Sequence, residues 1–126
     1  MDEIVIFKFG GSVLQNEASI AKAASLIRKA FDRKLGVAVV ISALKGATDK
    51  LLQLAKEVNP KTPPAYMDEL LAMGERTSAR LFANALISAG IEPVLVDPDN
   101  PIWPIVTDSR HLDANPKFEE TRVNIQ

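Results

Sequence analysis

Several absences limit what this sequence can be. Its 126 residues include no cysteine, which excludes disulfides and thiolate metal sites and fits a reducing compartment. The 15 basic residues nearly balance the 16 acidic ones, so the net charge of -1 gives no field that would favour nucleic acid or an anionic membrane. No apolar run could cross a bilayer, and the start, with Asp2 and Glu3, does not resemble a signal peptide. These absences predict a soluble cytoplasmic protein without nucleic acid or membrane partners.

Two common nucleotide-binding fingerprints are also missing. Neither G-x-x-x-x-G-K-[ST] nor G-x-G-x-x-G occurs in the sequence. The single histidine, His111, has no evident partners for a metal, so we predict no metal ligand in the chain. Any nucleotide or phosphate site must therefore use a different loop.

What is present favours one α/β domain over residues 1–126. The apolar runs Ile4–Phe9 and Val37–Ser42 are typical of buried strands, and a helix capped by Asn16 and stopped by Gly36 lies between them. A strand, a helix and a strand with short connections form a βαβ unit, whose strands are parallel and whose crossover is right-handed.

The remaining elements follow from periodicity and turn residues. We expect helices over Ala47–Val58 and Ala65–Ala89, the second of them closed by Gly90. A third strand is expected over Pro93–Val96, and short strands over 105–107 and 121–125. The long helix should bury Leu70, Met73, Leu81, Ala85 and Leu86.

The first strand contains a lysine and ends in a glycine pair. Lys8 interrupts an apolar run, and burying its ammonium without a partner would be costly. Gly10 and Gly11 leave backbone N–H groups free to face a ligand where the strand ends. This combination favours an anion, most often a phosphate. The alternative is a plain strand and turn, with Lys8 reaching water.

The loop after the second strand carries further polar groups. Ser42 and Thr48 offer hydroxyls, Lys45 a cation, and Gly46 a tight bend. Because ligands bind at the carboxyl ends of parallel strands, this loop and the glycine pair should share one crevice. The alternative is that Thr48 or Asp49 merely caps the following helix.

A glycine inside the long helix marks a third candidate segment. Gly74 costs about 1 kcal/mol relative to alanine there, so a packing or ligand reason is expected. Glu75 follows it directly, and its carboxylate could receive a substrate ammonium group. The alternative is a surface Glu75 paired with Arg76 or Arg80, with Gly74 serving close packing alone.

Three segments together resemble the amino-terminal part of the kinase domain of aspartate kinases, in the amino acid kinase family. They are "KFGGSV", "VVISALKGATDKLL" and "ELLAMGERTSARLFANALISAGIEPV", and the resemblance runs from about Ile4 to about Val96. It implies an α/β/α sandwich of three layers with a mainly parallel sheet. It also implies transfer of the γ-phosphoryl group of ATP to the side-chain carboxylate of L-aspartate, the first step of lysine, threonine and methionine biosynthesis.

The resemblance also implies roles for individual residues. The residues implied to contact ATP phosphates are Lys8, Gly10, Gly11 and Ser12, with Lys8 catalytic. The residues implied to contact the substrate are Ser42, Thr48 and Glu75. Mg²⁺ would be held by the nucleotide, without a protein ligand in this chain.

The first segment is shared by related kinases, and this leaves alternatives open. Kinases of the same fold act on uridylate, isopentenyl phosphate or acetylglutamate, and a non-catalytic binding or assembly module is a further possibility. The family's kinase domain is much longer than this chain. We therefore expect association with a missing carboxyl-terminal half or a homo-oligomer, and little kinase activity from the chain alone.

Overall fold

The computed structural model describes residues 3–111 and 113–125. The elements in chain order are β1 (Ile4–Phe9), α1 (Glu17–Asp32), β2 (Gly36–Ile41), α2 (Ala47–Val58), α3 (Pro64–Ser88) and α4 (Phe118–Ile125). β1 and β2 pair in parallel, with Phe7 opposite Val39. The predicted α/β class, βαβ unit and parallel sheet are confirmed.

Helix α1 starts as its sequence predicts and ends differently. The Asn16 side chain accepts a hydrogen bond from the Ser19 backbone at 3.0 Å, and the Ser19 hydroxyl accepts one from the Asn16 backbone at 2.9 Å. This capping box satisfies two N–H groups at the helix start. The prediction that Gly36 stops the helix is wrong, because the chain already turns at Lys34, with φ +60°, and Gly36 begins β2.

The core lies on one face of the two-stranded sheet. The Phe9 ring lies 6.0 Å from the Phe7 ring and 5.5 Å from the ring of Phe82 on α3. Residues of α1 pack into the same cluster, so both helices cover the same face. The buried cluster consists of Phe9, Leu14, Ile20, Ala23, Ala24, Ile27, Phe82, Leu86 and Ile91.

The opposite face of the sheet is bare in the part of the chain that the structure describes. Ile4, Ile6 and Val40 are 53%, 71% and 52% exposed. The prediction that both faces of the strands are buried is therefore wrong for this chain, because both covering helices lie on one side. We call the exposed residues of this side, Ile4, Ile6, Lys8, Ala38 and Val40, the bare face.

Helix α3 buries part of the stripe that its hydrophobicity predicts, because Leu86 is buried in the core and Ala85 packs against it. Met73 and Leu81 are 42% and 44% exposed, so the prediction that they face inward is wrong. The rest of the buried stripe consists of Met67, Gly74, Ser78 and Phe82, of which the two small residues let neighbouring segments approach closely. Gly90 closes this region with φ +79°, as predicted. Among the described residues, no helix is both long and apolar enough to cross a membrane.

The segment after α3 contains fewer regular elements than predicted. Pro93–Val96 pairs with no strand in the described ranges, so the third strand is not formed. Residue 107 makes only an isolated bridge to Pro116, so the strand over 105–107 is also wrong. Residues 121–125 lie in α4, where Arg122 bonds Glu119 at 2.8 Å one turn earlier, a spacing that favours a helix over a strand.

Candidate functional site

A cleft of about 290 Å³ opens at the carboxyl edge of the sheet. Three segments distant in the sequence line it: the loop after β1, the loop after β2 and helix α3. Of the predicted site residues, Gly11, Ser42, Thr48 and Glu75 belong to the lining. The other three, Lys8, Gly10 and Ser12, lie in or just after β1 and outside the lining.

Backbone contacts fix the two loops against each other. The Ser42 N–H donates to the Phe9 carbonyl at 3.1 Å, and the Lys45 N–H donates to the Leu14 carbonyl at 3.0 Å. A Cβ at Gly11 would lie 3.3 Å from the Ala43 carbonyl oxygen, closer than most Cβ contacts. A glycine at this position therefore lets the first loop touch the second.

Four backbone N–H groups near the cleft are unused. Those of Gly11, Ser12, Thr48 and Asp49 donate to no acceptor in the described part of the chain. Helix α2 starts after Gly46, which has φ +78° and provides no side-chain cap. The alternative that Thr48 or Asp49 caps α2 is thus wrong. Unused donors at a helix start and a tight turn are groups that bind anions.

Gly74 brings α3 against the second loop. A Cβ at Gly74 would lie 3.2 Å from Ala43 Cβ and 4.0 Å from Thr48 Oγ1. Gly74 therefore allows α3 to pack closely against the second loop, as one of the two interpretations of this glycine predicted. The same close approach places Glu75, the next residue, on the cleft beside Thr48.

The neighbouring arginines are engaged elsewhere. Arg76 bonds Asp99 at 2.6 Å, and Arg80 bonds Asp97 at 2.8 Å. The hydrogen bond from Arg80 lowers the pKa of Asp97, and the hydrogen bond to Asp99 raises the pKa of Arg76. Glu75 forms no ion pair with any described residue, so the alternative in which it pairs with Arg76 or Arg80 is wrong.

Lys8 is exposed on the bare face, one residue before β1 ends. It lies opposite Val40 in the register and has no ion pair within residues 3–111 and 113–125. The expected need for a buried partner is wrong here, because the bare face leaves the ammonium in water. The ammonium is therefore unpaired among the described residues.

Two carboxylates, those of Asp49 and Glu75, line the cleft. The described residues contain no group of three or more histidine, aspartate or glutamate side chains that could bind a metal ion. His111 lies on the surface, with Nδ1 2.5 Å from Asp68 Oδ2.

Comparison with known proteins agrees with this geometry. The model of the amino acid kinase family matches residues 3–119. The chain belongs to the amino acid kinase family. The aspartate kinase of Stutzerimonas stutzeri is 32% identical to this family member over 111 residues, which are 88% of this chain and 26% of the relative. The aspartokinase of Corynebacterium glutamicum is 43% identical over 89 residues, 71% of this chain and 21% of the relative.

A solved structure of an aspartate kinase also resembles this amino acid kinase chain. The crystal structure of aspartate kinase from Synechocystis superposes with a TM-score of 0.65 at 32% identity. The match covers 70% of this chain and 15% of that one. The predicted resemblance to the amino-terminal part of aspartate kinases is confirmed, and the chain spans about a quarter or less of the relatives' length.

Two further residues belong to the cleft: Lys45, noted in the sequence only as a cation of the second loop, and Asp49, noted only as a possible cap of α2. Both line the cleft beside Thr48. Their sequence signal was their position in the polar loop after the second strand. Which side chains face the cleft depends on the left-handed turn at Gly46, and the sequence does not give that direction.

Proposed function

We propose that the chain forms the acceptor-binding part of a kinase that phosphorylates the side-chain carboxylate of L-aspartate with ATP. The observation that carries the proposal is the shared cleft, to which Gly11, Ser42, Thr48 and Glu75 contribute from three segments. Hydroxyls, a carboxylate and free amide donors match an acceptor that carries an ammonium group and carboxylates. The names of the relatives support the same acceptor.

Each group has a role that its chemistry suits. The Glu75 carboxylate receives the α-ammonium group of aspartate, and the Thr48 and Ser42 hydroxyls orient the reacting carboxylate. Lys8 and the amides of the loop from Gly10 to Ser12 hold the negative charge of the transferring phosphoryl group. Mg²⁺ carried by ATP would neutralise further phosphate charge.

The reaction is a direct phosphoryl transfer. A carboxylate oxygen of aspartate bonds to the γ-phosphorus as the bond to the β-phosphate oxygen breaks, which gives 4-phospho-L-aspartate and ADP. The acceptor carboxylate is already ionised at neutral pH, so no general base is required. Positioning and charge stabilisation therefore supply the catalysis.

The position of Glu75 favours aspartate over other acceptors of kinases with this fold. Uridylate and isopentenyl phosphate carry no ammonium group, and the nitrogen of acetylglutamate is acylated. A carboxylate on the cleft would repel the phosphate of the first two and gain no ion pair from the third. These acceptors, and a non-catalytic assembly module, remain the alternatives to exclude.

A chimeric enzyme, called the joined enzyme below, tests the proposal. The chain would replace the corresponding part of the Corynebacterium glutamicum aspartokinase, and ATP-dependent phosphorylation of aspartate, uridylate, isopentenyl phosphate and acetylglutamate would be measured. We expect turnover with aspartate alone. Turnover with uridylate and not aspartate would contradict the proposal, and a stable, folded enzyme without any turnover would favour the non-catalytic module.

A matched pair of variants tests the role of Glu75. Glu75→Gln should raise the KM for aspartate at least tenfold with a smaller change in kcat, because an ion pair to the substrate ammonium is lost. Glu69→Gln is the control, since Glu69 is exposed on the same helix and outside the cleft. Equal KM values for the two variants would show that Glu75 does not bind aspartate.

We further propose that the chain acts in the cytoplasm, in amino acid biosynthesis, and only together with a partner. The bare face and the greater length of the relatives support association with a carboxyl-terminal half or a second copy. The isolated chain should show little kinase activity, because the described residues provide no second charged clamp for the nucleotide.

A further inference from the structure

We propose that Asp97 and Asp99 are positioning residues, which brace the turn of α3 that carries Glu75 and so hold this carboxylate in place for the acceptor. The assignment rests on the proposed function of the cleft. It adds a support that lies outside the cleft lining, in the loop over residues 97–100.

Hydrogen bonds between α3 and this loop form a closed ring. Arg76 donates to the Asp99 carboxylate at 2.6 Å, and the Asp99 N–H donates to Asp97 Oδ1 at 3.2 Å. On the other side, Arg80 donates to the Asp97 carboxylate at 2.8 Å and to the Arg76 carbonyl at 3.1 Å. Each of the four residues is therefore bonded to two others of the ring.

The ring is less exposed than a simple surface ion pair. The side chains of Arg76 and Asp97, one from each ion pair of the ring, are only 25% and 15% exposed. In the pair between Arg110 and Asp113, by contrast, the side chains are 57% and 79% exposed. Isolated exposed pairs contribute little, because water and salt screen them and their side chains stay mobile. A partly buried network is better suited to fixing the backbone to which it is attached.

The turn that the ring braces begins with a glycine. Gly74 leaves the helix backbone freer than any other residue would. It cannot be replaced without a clash, because a Cβ would lie 3.2 Å from Ala43 Cβ. Since α3 cannot be stiffened at residue 74 itself, the ring fixes the helix at the next turn, between Arg76 and Arg80.

Glu75 lies between the glycine and the ring. It lines the cleft and forms no ion pair in the described part of the chain. A carboxylate on a fixed backbone binds an ammonium group more tightly than a mobile one, because less freedom is lost on binding. Opening the ring should therefore weaken aspartate binding through Glu75, and the effects of the two changes should not add.

A double-mutant cycle in the joined enzyme tests the assignment. The variants are Asp99→Asn, Glu75→Gln and the two combined, and the KM for aspartate and kcat are measured for each. The control is Asp113→Asn, which also removes one carboxylate from an ion pair. The two aspartates are matched in exposure, since the side chains of Asp99 and Asp113 are 74% and 79% exposed.

Hydrogen–deuterium exchange of the 126-residue chain tests the brace without any need for activity. In an α-helix, the amides of residues 78–80 donate to the carbonyls of residues 74–76, so their exchange rates report opening of the turn that contains Glu75. The exchange rates are compared between the unmodified chain, Asp99→Asn and Asp113→Asn.

We expect Asp99→Asn to raise the KM for aspartate about threefold to fivefold, with a smaller change in kcat. Exchange of the amides of residues 78–80 should become about fivefold faster or more. In the Glu75→Gln background the same substitution should leave the KM unchanged, because the carboxylate that the ring positions is absent. Asp113→Asn should change neither the KM nor the exchange rates.

Three results would overturn the assignment and leave the proposed function standing. They are an unchanged KM or unchanged exchange rates in Asp99→Asn, an equal rise of the KM with and without Glu75, and equal effects of Asp99→Asn and Asp113→Asn. A different result would overturn both. If Glu75→Gln leaves the KM unchanged, or if the joined enzyme does not phosphorylate aspartate, the proposed function fails and the assignment fails with it.

Discussion

Both faces of the sheet carry mostly apolar side chains, but only one face is covered by helices. On one face, Phe7, Phe9 and Val39 pack against α1 and α3. On the other, Ile6 and Val40 are 71% and 52% exposed. Strands that are apolar on both faces are typical of parallel sheets covered on both sides. This difference is the observation behind the proposal that the bare face contacts a partner.

The largest effect should come from the covered face. Phe82→Ala should lower the free energy of unfolding by about 3–5 kcal/mol, because Phe82 is 2% exposed and its removal leaves a cavity beside Phe9. Ile6→Ala should change it by no more than about 0.5 kcal/mol. Urea denaturation measures both. Similar losses at the two positions would show that the bare face is covered in solution.

The bare face should matter more for activity than for stability. Lys8→Met in the joined enzyme should lower kcat about a hundredfold or more, because a cation is lost from the developing phosphoryl charge. In the 126-residue chain alone, the same substitution should leave the unfolding free energy unchanged, since the Lys8 side chain is exposed there. Steady-state kinetics measures kcat, and urea denaturation measures the free energy of unfolding. Lys50→Met is the control for both. An unchanged kcat would remove Lys8 from the proposed mechanism.

Self-association should depend on the bare face. Ile6→Lys should weaken dimer formation by about tenfold or more, because a charge replaces an apolar contact at the interface. Val58→Lys is the matched control, since Val58 is 86% exposed at the end of α2, away from the sheet. Sedimentation equilibrium compares the two variants. Equal dimer constants would place the contact on another surface.

The smallest effect should appear at acid pH. The Arg80 hydrogen bond lowers the pKa of Asp97 below its ordinary value of 3.8, so the folded state favours the ionised form. This stabilisation is present above the ordinary pKa and is lost as the pH falls through the lowered one. Asp97→Asn should therefore show a shallower loss of stability than the unmodified chain as the pH falls below about 5, in denaturation series. Parallel curves would contradict the pairing.

Much of the fold follows from local patterns in the sequence. The bounds of α2 are those predicted, and the Asn16 cap and the two strands are confirmed, because caps and apolar runs act over a few residues. The third strand at Pro93–Val96 was wrong because a strand needs a neighbour, and none of the described strands pairs with it. Within α3, the burial of Leu86 was predicted, whereas Met73 and Leu81 are exposed because the buried face runs through Gly74 and Ser78, which hydrophobicity does not reveal.

The sequence predicted which segments form the candidate site better than it predicted which side chains face the cleft. The sequence indicated three polar segments at one sheet edge, because parallel strands end on the same side. It placed the loop with Lys45 at the crevice but gave no ligand contact to Lys45 or Asp49, since the direction of their side chains depends on the turn at Gly46. The sequence also predicted that Lys8 is buried. In the described chain Lys8 is exposed, because no second layer covers the bare face.

The exchange rates of the unused amides beside the cleft should show whether a ligand is bound there. In hydrogen–deuterium exchange, the amides of Ser42 and Lys45 should exchange slowly in the empty chain, because they donate to the carbonyls of Phe9 and Leu14. Those of Gly11, Ser12 and Thr48 should exchange quickly until an anion accepts their hydrogen bonds. Slowly and quickly exchanging amides therefore lie within a few residues of each other. A bound ligand should lower the exchange rate of the quickly exchanging amides only.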